Sequence, residues 1–133
     1  MSTSATQLWT PERATSALPL LRRIADDLVR TYAEWRDLVG RVELASVTAV
    51  PGRANAEAER LQKEVLRAAT EIEGFMQELA ELGVECKSPE TGLFDFPSER
   101  EGRPVYLCWM RGEQTVSHWH DLEAGFAGRQ PLQ

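Results

Sequence analysis

The sequence has few of the residues that mark secreted or membrane proteins. It contains only two cysteines, Cys86 and Cys108, too few for a disulfide framework, and in a reducing compartment both are expected to be thiols. No apolar run approaches the roughly 20 residues that a membrane-spanning helix needs. Met1 to Thr10 lacks the charged and apolar regions of a secretory signal. We therefore expect a cytoplasmic protein without a membrane-spanning segment.

The sequence also lacks an excess of basic residues. It has 15 Lys and Arg against 21 Asp and Glu, a net charge of −6, whereas a nucleic-acid surface needs a clustered basic face that displaces counterions from phosphates. The densest basic position, Arg22-Arg23, is followed closely by Asp26-Asp27. The composition therefore predicts no nucleic-acid partner.

The first part of the chain, residues 10–83, has the pattern of a helical hairpin. Thr10-Pro11 is a helix start, and Pro19 predicts that a short first helix ends before a longer one begins, with Ser16 as its cap. Apolar residues then recur at steps of three and four in two stretches separated by a loop around Val50-Pro51-Gly52. Asn55 and Gly83 are the expected caps of the second long helix. Two such helices joined by about ten residues predict an antiparallel pair.

From residue 84 to 133 the period changes to that of strands. We predict strands at Val84–Lys87 and Leu93–Phe96, the second ended by Pro97, then a polar turn from Ser98 to Arg103. A hairpin over Val105–His120 follows, with its turn at Arg111–Gln114. The Gly- and Pro-rich tail at 125–132 predicts no regular element. The expected fold is a single α+β domain over residues 1–133: a long antiparallel helical hairpin preceded by a short helix, plus an antiparallel meander of three or four strands.

The apolar stripes of both long helices are wider than a two-stranded seam requires. A small sheet does not cover that surface, so we expect a homodimer in which two helical hairpins form a four-helix bundle.

The Val105–His120 hairpin holds both histidines and one cysteine. His118 and His120 are two residues apart and project to one face of a strand. A loop of two or four residues places Cys108 on the opposite face from His118, whereas a three-residue loop places it on the same face. The residue types alone do not decide on which face Cys108 lies. The predicted metal ligands, which suit zinc or iron, are His118, His120, Glu113, Glu123, Asp95 and Cys108.

A small-anion site at the same hairpin is the second candidate. Trp109 and Trp119, with Phe126, would wall a pocket closed by the guanidinium of Arg129, which suits a carboxylate or phosphate. The alternative interpretation is that the tryptophans are core residues and that Arg129 forms a salt bridge to Asp95 or Glu113. A nucleophilic pair of Cys108 with a histidine is the weakest candidate, because no oxyanion-hole motif accompanies it.

Several short strings resemble an uncharacterised bacterial family catalogued as domain of unknown function 2203, and they span essentially the whole chain. They are Trp9-Thr10-Pro11-Glu12, Ala14, Leu18-Pro19, Gly92-Leu93-Phe94-Asp95-Phe96-Pro97, Leu107-Cys108-Trp109, Gly112-Glu113, Trp119-His120 and Gly125-Phe126-Ala127-Gly128-Arg129. The resemblance implies a small bacterial protein and transfers no mechanism. The residues favour a metal- or small-anion-binding protein, with a structural or interaction module that dimerises through its helices as the alternative. Whether it is an enzyme is left open.

Overall fold

The computed structural model describes residues 8–132 and confirms the predicted α+β fold. Three helices are followed by a five-stranded antiparallel sheet. Their bounds are α1 Pro11–Ser16, α2 Leu18–Val47, α3 Ala56–Leu82, β1 Glu85–Ser88, β2 Leu93–Arg100, β3 Arg103–Met110, β4 His118–Asp121, a short 3₁₀ helix Phe126–Gly128, and β5 Gln130–Pro131. The predicted single domain includes residues 1–7 and 133, which lie outside the described residues.

The break before Pro19 is confirmed. Thr10 caps α1 by accepting from the amide of Arg13 at 3.1 Å, and Pro19 lies in the first turn of α2. The predicted cap Ser16 is wrong, because Ala17 precedes α2 and provides no side-chain hydrogen bond. Ala17 is also the C-terminal cap of α1 and has a helical backbone conformation. A residue that caps a helix start with its side chain usually has an extended backbone conformation.

The α2–α3 hairpin has the predicted caps. Asn55 accepts from the amide of Ala58 at 3.0 Å, and Gly83 ends α3 with a φ of +80°. Within residues 8–132, no helix combines the length and the apolar character that crossing a bilayer requires.

The sheet has the order β1-β2-β3-β4-β5, so each strand pairs with its neighbour along the chain. The prediction that Pro97 ends β2 is wrong, because β2 continues to Arg100 and the turn is reduced to Glu101-Gly102, both with positive φ. The carbonyl of Pro97 accepts from the amide of Trp9 at 2.8 Å. Because the amide and carbonyl of a strand residue point to the same side, the missing N–H of Pro97 faces Trp9 and costs no bond to β3.

The connection from β3 to β4 is longer than predicted. It covers residues 111–117, not the two to four residues expected, and it pairs Cys108 with His118. Two contacts are made by this longer connection. The indole of Trp109 donates to the carbonyl of Glu113 at 2.9 Å, and Val116 is buried with its amide bonded to Thr15 Oγ1 at 3.1 Å.

The tail is more regular than predicted. It contains the 3₁₀ helix and β5, which pairs with β4 through Trp119 and Gln130. The amide of Leu132 donates to the carbonyl of Ser117 at 3.0 Å, so the tail extends the sheet by one short strand.

The main core lies between one face of the sheet, α1, the first half of α2 and the end of α3. On the sheet it includes Phe94, Phe96, Leu107, Trp109 and Trp119. Because strand residues alternate between faces, the residues between them project from the opposite, outer face. A second, smaller core of Leu38, Leu61 and Ala68 lies farther along the helical hairpin.

Candidate metal centre

Three chemically different ligating side chains meet on the outer face of the sheet, one from each of three neighbouring strands. They are Asp95 on β2, Cys108 on β3 and His120 on β4. Asp95 and Cys108 are directly paired across β2 and β3, and His120 is two residues from the partner of Cys108 on β4. One ligand atom from each lies within 4.8 Å of the others. We call this set the triad.

The triad is buried although all its members are polar or ionisable. Asp95 and His120 are each 2% exposed and Cys108 is fully buried. Such groups are costly to remove from water without partners, yet Asp95 Oδ1 is buried and has no hydrogen-bond partner among the described residues. The sheet thus buries a carboxylate, a thiol and an imidazole side by side.

The hydrogen bonds of His120 define which ring nitrogen faces the triad. Nδ1 lies 2.7 Å from the backbone carbonyl oxygen of Asp121, and Nε2 lies 3.0 Å from Asp95 Oδ2. A carbonyl oxygen only accepts, so Nδ1 carries a proton and donates it. Nε2 is therefore the ring nitrogen that faces the triad, and it lies opposite a carboxylate oxygen.

The Cys108 thiol is unsuited to nucleophilic catalysis. Burial, reinforced by the negative charge of Asp95, raises its pKa to about 12, and the positive charge of Arg129 only partly opposes this rise. Activation would need a histidine nitrogen free to take the thiol proton. Both nitrogens of His120 are already engaged by oxygen atoms, and His118 is not part of the cluster that contains Cys108.

The other predicted metal ligands lie outside the triad. His118 is the cross-strand partner of Cys108, but it is partly exposed and its Nδ1 lies 3.2 Å from Ser117 Oγ. Glu113 pairs with Arg129, and Glu123 is exposed in the segment after β4. The structure thus brings together three of the six predicted residues.

Arg129 forms the salt bridge to Glu113 that the sequence left as an alternative. Its Nη2 lies 2.8 Å from Glu113 Oε1 and 3.4 Å from the carbonyl oxygen of Cys108, and its guanidinium lies over the ring of Phe126 at 4.8 Å. Burial by itself raises the pKa of Glu113, but the hydrogen bonds from Arg129 and from the amide of Met110 outweigh it and leave the pKa below its ordinary value. Arg129 therefore already holds a carboxylate from its own chain.

The two tryptophans predicted as pocket walls pack in the core. Trp109 is fully buried, with its ring centre 5.5 Å from that of Phe94. Trp119 is 8% exposed and is covered by the guanidinium groups of Arg100 and Arg103. Both tryptophans are therefore core residues, as the alternative interpretation of the sequence has them.

One group of neighbours was missed in the sequence. The ring of Tyr106 packs against His120 with ring centres 5.6 Å apart, and its hydroxyl donates to Glu85 Oε2 at 3.0 Å. Lys87 pairs with Glu85 at 2.8 Å and lies over the Tyr106 ring. A signal was present, because residues two apart on a strand lie on the same face. Glu85 and Lys87 have this spacing on β1, and Tyr106 and Cys108 have it on β3.

Comparison with known proteins gives a family but no characterised relative. No curated protein and no solved structure matches the chain. The model of one family matches residues 7–132, which is nearly the whole sequence. The chain therefore belongs to the family of uncharacterized conserved proteins known as DUF2203.

Proposed function

We propose that the protein binds one transition-metal ion, with zinc favoured and iron second, through Asp95, Cys108 Sγ and His120 Nε2. The observation that carries the proposal is the burial of a carboxylate, a thiol and an imidazole within 4.8 Å of one another. Zinc binds all three donor types, and a mixed oxygen, sulfur and nitrogen set is unsuited to magnesium or calcium, which prefer oxygen alone.

The orientation of His120 supports the proposal. Histidines that bind metal usually donate their other N–H to a carbonyl or carboxylate, which fixes the tautomer. The Nδ1 contact with the carbonyl of Asp121 is such a bond. It leaves the lone pair of Nε2 directed at Asp95, so a metal between the two atoms would replace a shared proton.

The spacing of the triad is close to that of a coordination shell. Metal–ligand distances of about 2.0–2.3 Å imply ligand atoms roughly 3.3–3.6 Å apart around a tetrahedral zinc ion. The 3.0 Å separation of His120 Nε2 and Asp95 Oδ2 is near this value, and the sulfur of Cys108 has to move by at most about 1.5 Å. Three protein ligands leave a fourth position, where a bound water would donate to Asp95 Oδ1.

Metal content and cobalt spectroscopy of the purified full-length protein test the proposal. We expect about one equivalent of zinc per chain after expression in zinc-supplemented medium. We also expect Co²⁺ to restore a thiolate-to-cobalt absorption band after the protein is stripped with a chelator. Asp95→Asn, Cys108→Ser and His120→Gln should each reduce binding at least about tenfold.

Two matched controls replace the other cysteine and the other histidine of the chain. Cys86 lies on the core side of β1 and His118 lies outside the triad, so Cys86→Ser and His118→Gln should retain the metal and the cobalt band. Less than about a tenth of an equivalent of metal in the wild-type protein, with no cobalt band, would overturn the proposal. Loss of binding in the controls alone would place the metal elsewhere.

A further inference from the structure

The helical hairpin extends beyond the part that the sheet covers. We call residues 36–68, which comprise the end of α2, the connecting loop and the start of α3, the distal segment. The main core takes its helical members from α1, from α2 up to Leu28 and from α3 starting at Ile72. The core of the distal segment is built only from α2 and α3 residues, with Leu38, Leu61 and Ala68 at its centre. Two helices alone cannot bury both of their apolar stripes.

The distal segment contains the most exposed large apolar side chains among the described residues. Within residues 8–132 the three most exposed large hydrophobic residues are Val47 at 82%, Leu66 at 68% and Leu44 at 67%. Both helices also line an apolar groove, which we call the distal groove. It is formed by Val39, Val42, Glu43, Gln62, Val65 and Leu66. An exposed apolar groove of this kind marks an interaction surface.

The charges of the distal segment favour a second copy of the same chain as the occupant. The segment carries six basic and five acidic residues, a net charge of +1, whereas the rest of the chain carries nine basic and 16 acidic residues, a net charge of −7. Two copies therefore repel each other through most of their surfaces and repel least here.

Unpaired charges of both signs accompany the groove. Glu43 lines it from α2, and Lys63 follows Gln62 on α3. Neither side chain forms an ion pair within the described part of the chain. A two-fold axis through the groove would place α2 of one copy beside α3 of the other, which is the arrangement of an antiparallel four-helix bundle. The two charges of opposite sign would then face each other across the interface.

We propose that the distal groove is the interface of a homodimer, in which two hairpins form a four-helix bundle while the sheets lie away from it. This proposal does not depend on metal binding. The interface contains no member of the triad, so the two proposals fail separately.

Sedimentation velocity and light scattering of the full-length protein test the dimer. We expect twice the chain mass of 15.0 kDa at micromolar concentration. Leu66→Glu keeps a good helix former but introduces two charges into the interface. It should raise the dissociation constant at least about 100-fold, because each copy loses the burial of one leucine. Val42→Glu is the second variant, on the opposite helix of the groove.

The matched control is Leu20→Glu. Leu20 is an α2 leucine that is 46% exposed and lies outside the distal segment, so this variant should remain dimeric. Circular dichroism shows whether each variant retains its helices. A wild-type mass of 15.0 kDa throughout the micromolar range would overturn the proposal. So would a dimer that Leu20→Glu dissociates while folded Leu66→Glu and Val42→Glu leave it intact.

Discussion

Arg129 and Glu113 connect three separate segments through one ion pair. Glu113 lies in the β3–β4 connection and accepts from the amide of Met110 at 2.8 Å, while Arg129 follows the 3₁₀ helix and contacts the carbonyl oxygen of Cys108. The pair thus holds the tail against the end of β3, beside a triad residue. Only 11% of the Arg129 side chain and 25% of the Glu113 side chain are exposed, so solvent screens the pair less than a surface salt bridge.

The Glu113→Gln variant should lose stability in a pH-dependent way. The pKa of folded Glu113 lies below its ordinary value of 4.5. Its ionised form therefore contributes stability above that ordinary value, and the contribution disappears as the pH falls through the lower folded pKa. We expect the free energy of unfolding to fall by about 1 kcal/mol at pH 7 and by less below about pH 4. Urea unfolding at pH 7 and at pH 3 measures the difference.

Glu123→Gln is the control for this measurement. Glu123 is also an acidic residue of the β4–tail region but is exposed, so its replacement should change stability by less than about 0.5 kcal/mol at either pH. Equal losses for Glu113→Gln at pH 7 and at pH 3 would contradict the assigned role of the carboxylate.

Trp9 connects the start of the helical region to the sheet. Its amide and its carbonyl bond to the carbonyl of Pro97 and to the hydroxyl of Ser98, and its indole donates to the carbonyl of Gly83 at 3.1 Å. Its ring packs edge-on against Phe96 at 5.2 Å. One side chain therefore contacts both the end of α3 and the middle of β2.

Trp9→Ala should destabilise the fold by about 3–5 kcal/mol, because a 5% exposed aromatic ring is removed from the main core. Leu8→Ala is the matched control, since Leu8 precedes Trp9 but is 49% exposed, and it should cost less than about 0.5 kcal/mol. Denaturant unfolding of the two variants makes the comparison. Similar small losses of stability in both variants would show that Trp9 does not hold α1 against the sheet.

The helices were predictable because their signals are local. Thr10, Asn55 and Gly83 lie within one turn of the groups that they cap, and the apolar period runs through each helix. The strand limits depend on distant residues. Pro97 stays within β2 because its missing N–H faces Trp9, and nothing near Pro97 in the sequence shows which side of the strand lacks a partner strand.

The candidate site was predictable in its residue types but not in its arrangement. Asp95, Cys108 and His120 were all candidates, yet so was His118, because alternation places both histidines on one face. The register came from a connection lengthened by the burial of Val116 and the contact of Trp109 with Glu113. These contacts reach from the loop to α1 and β3, so turn residues alone do not reveal them.

At the scale of the whole molecule, the triad and the distal groove occupy separate parts of the fold. The triad lies on the outer face of β2, β3 and β4, whereas the groove lies on the distal segment of the helices. A metal ion at the triad would join three strands that are otherwise held by their hydrogen-bond ladders and by the main core. Its binding energy would therefore add directly to the stability of the sheet.

Metal binding should thus raise the melting temperature of the wild-type protein. At a free Zn²⁺ concentration 100-fold above the dissociation constant the gain is about 2.7 kcal/mol, or roughly 10 °C for a chain of this size. Differential scanning calorimetry with and without Zn²⁺ measures the shift. Cys108→Ala should reduce it by at least about half, whereas Cys86→Ala should keep it, because Cys86 packs against the main core.

Leu66→Glu completes this test, because it alters the proposed dimer interface and leaves the triad untouched. We expect it to melt at a lower temperature than the wild-type protein but to retain the full shift with Zn²⁺, since the triad does not contact the distal groove. If Cys108→Ala shifted as much as the wild-type protein, the stabilising zinc would lie outside the triad. If Leu66→Glu lost the shift, metal binding would depend on the distal segment and the two proposed roles would not be separable.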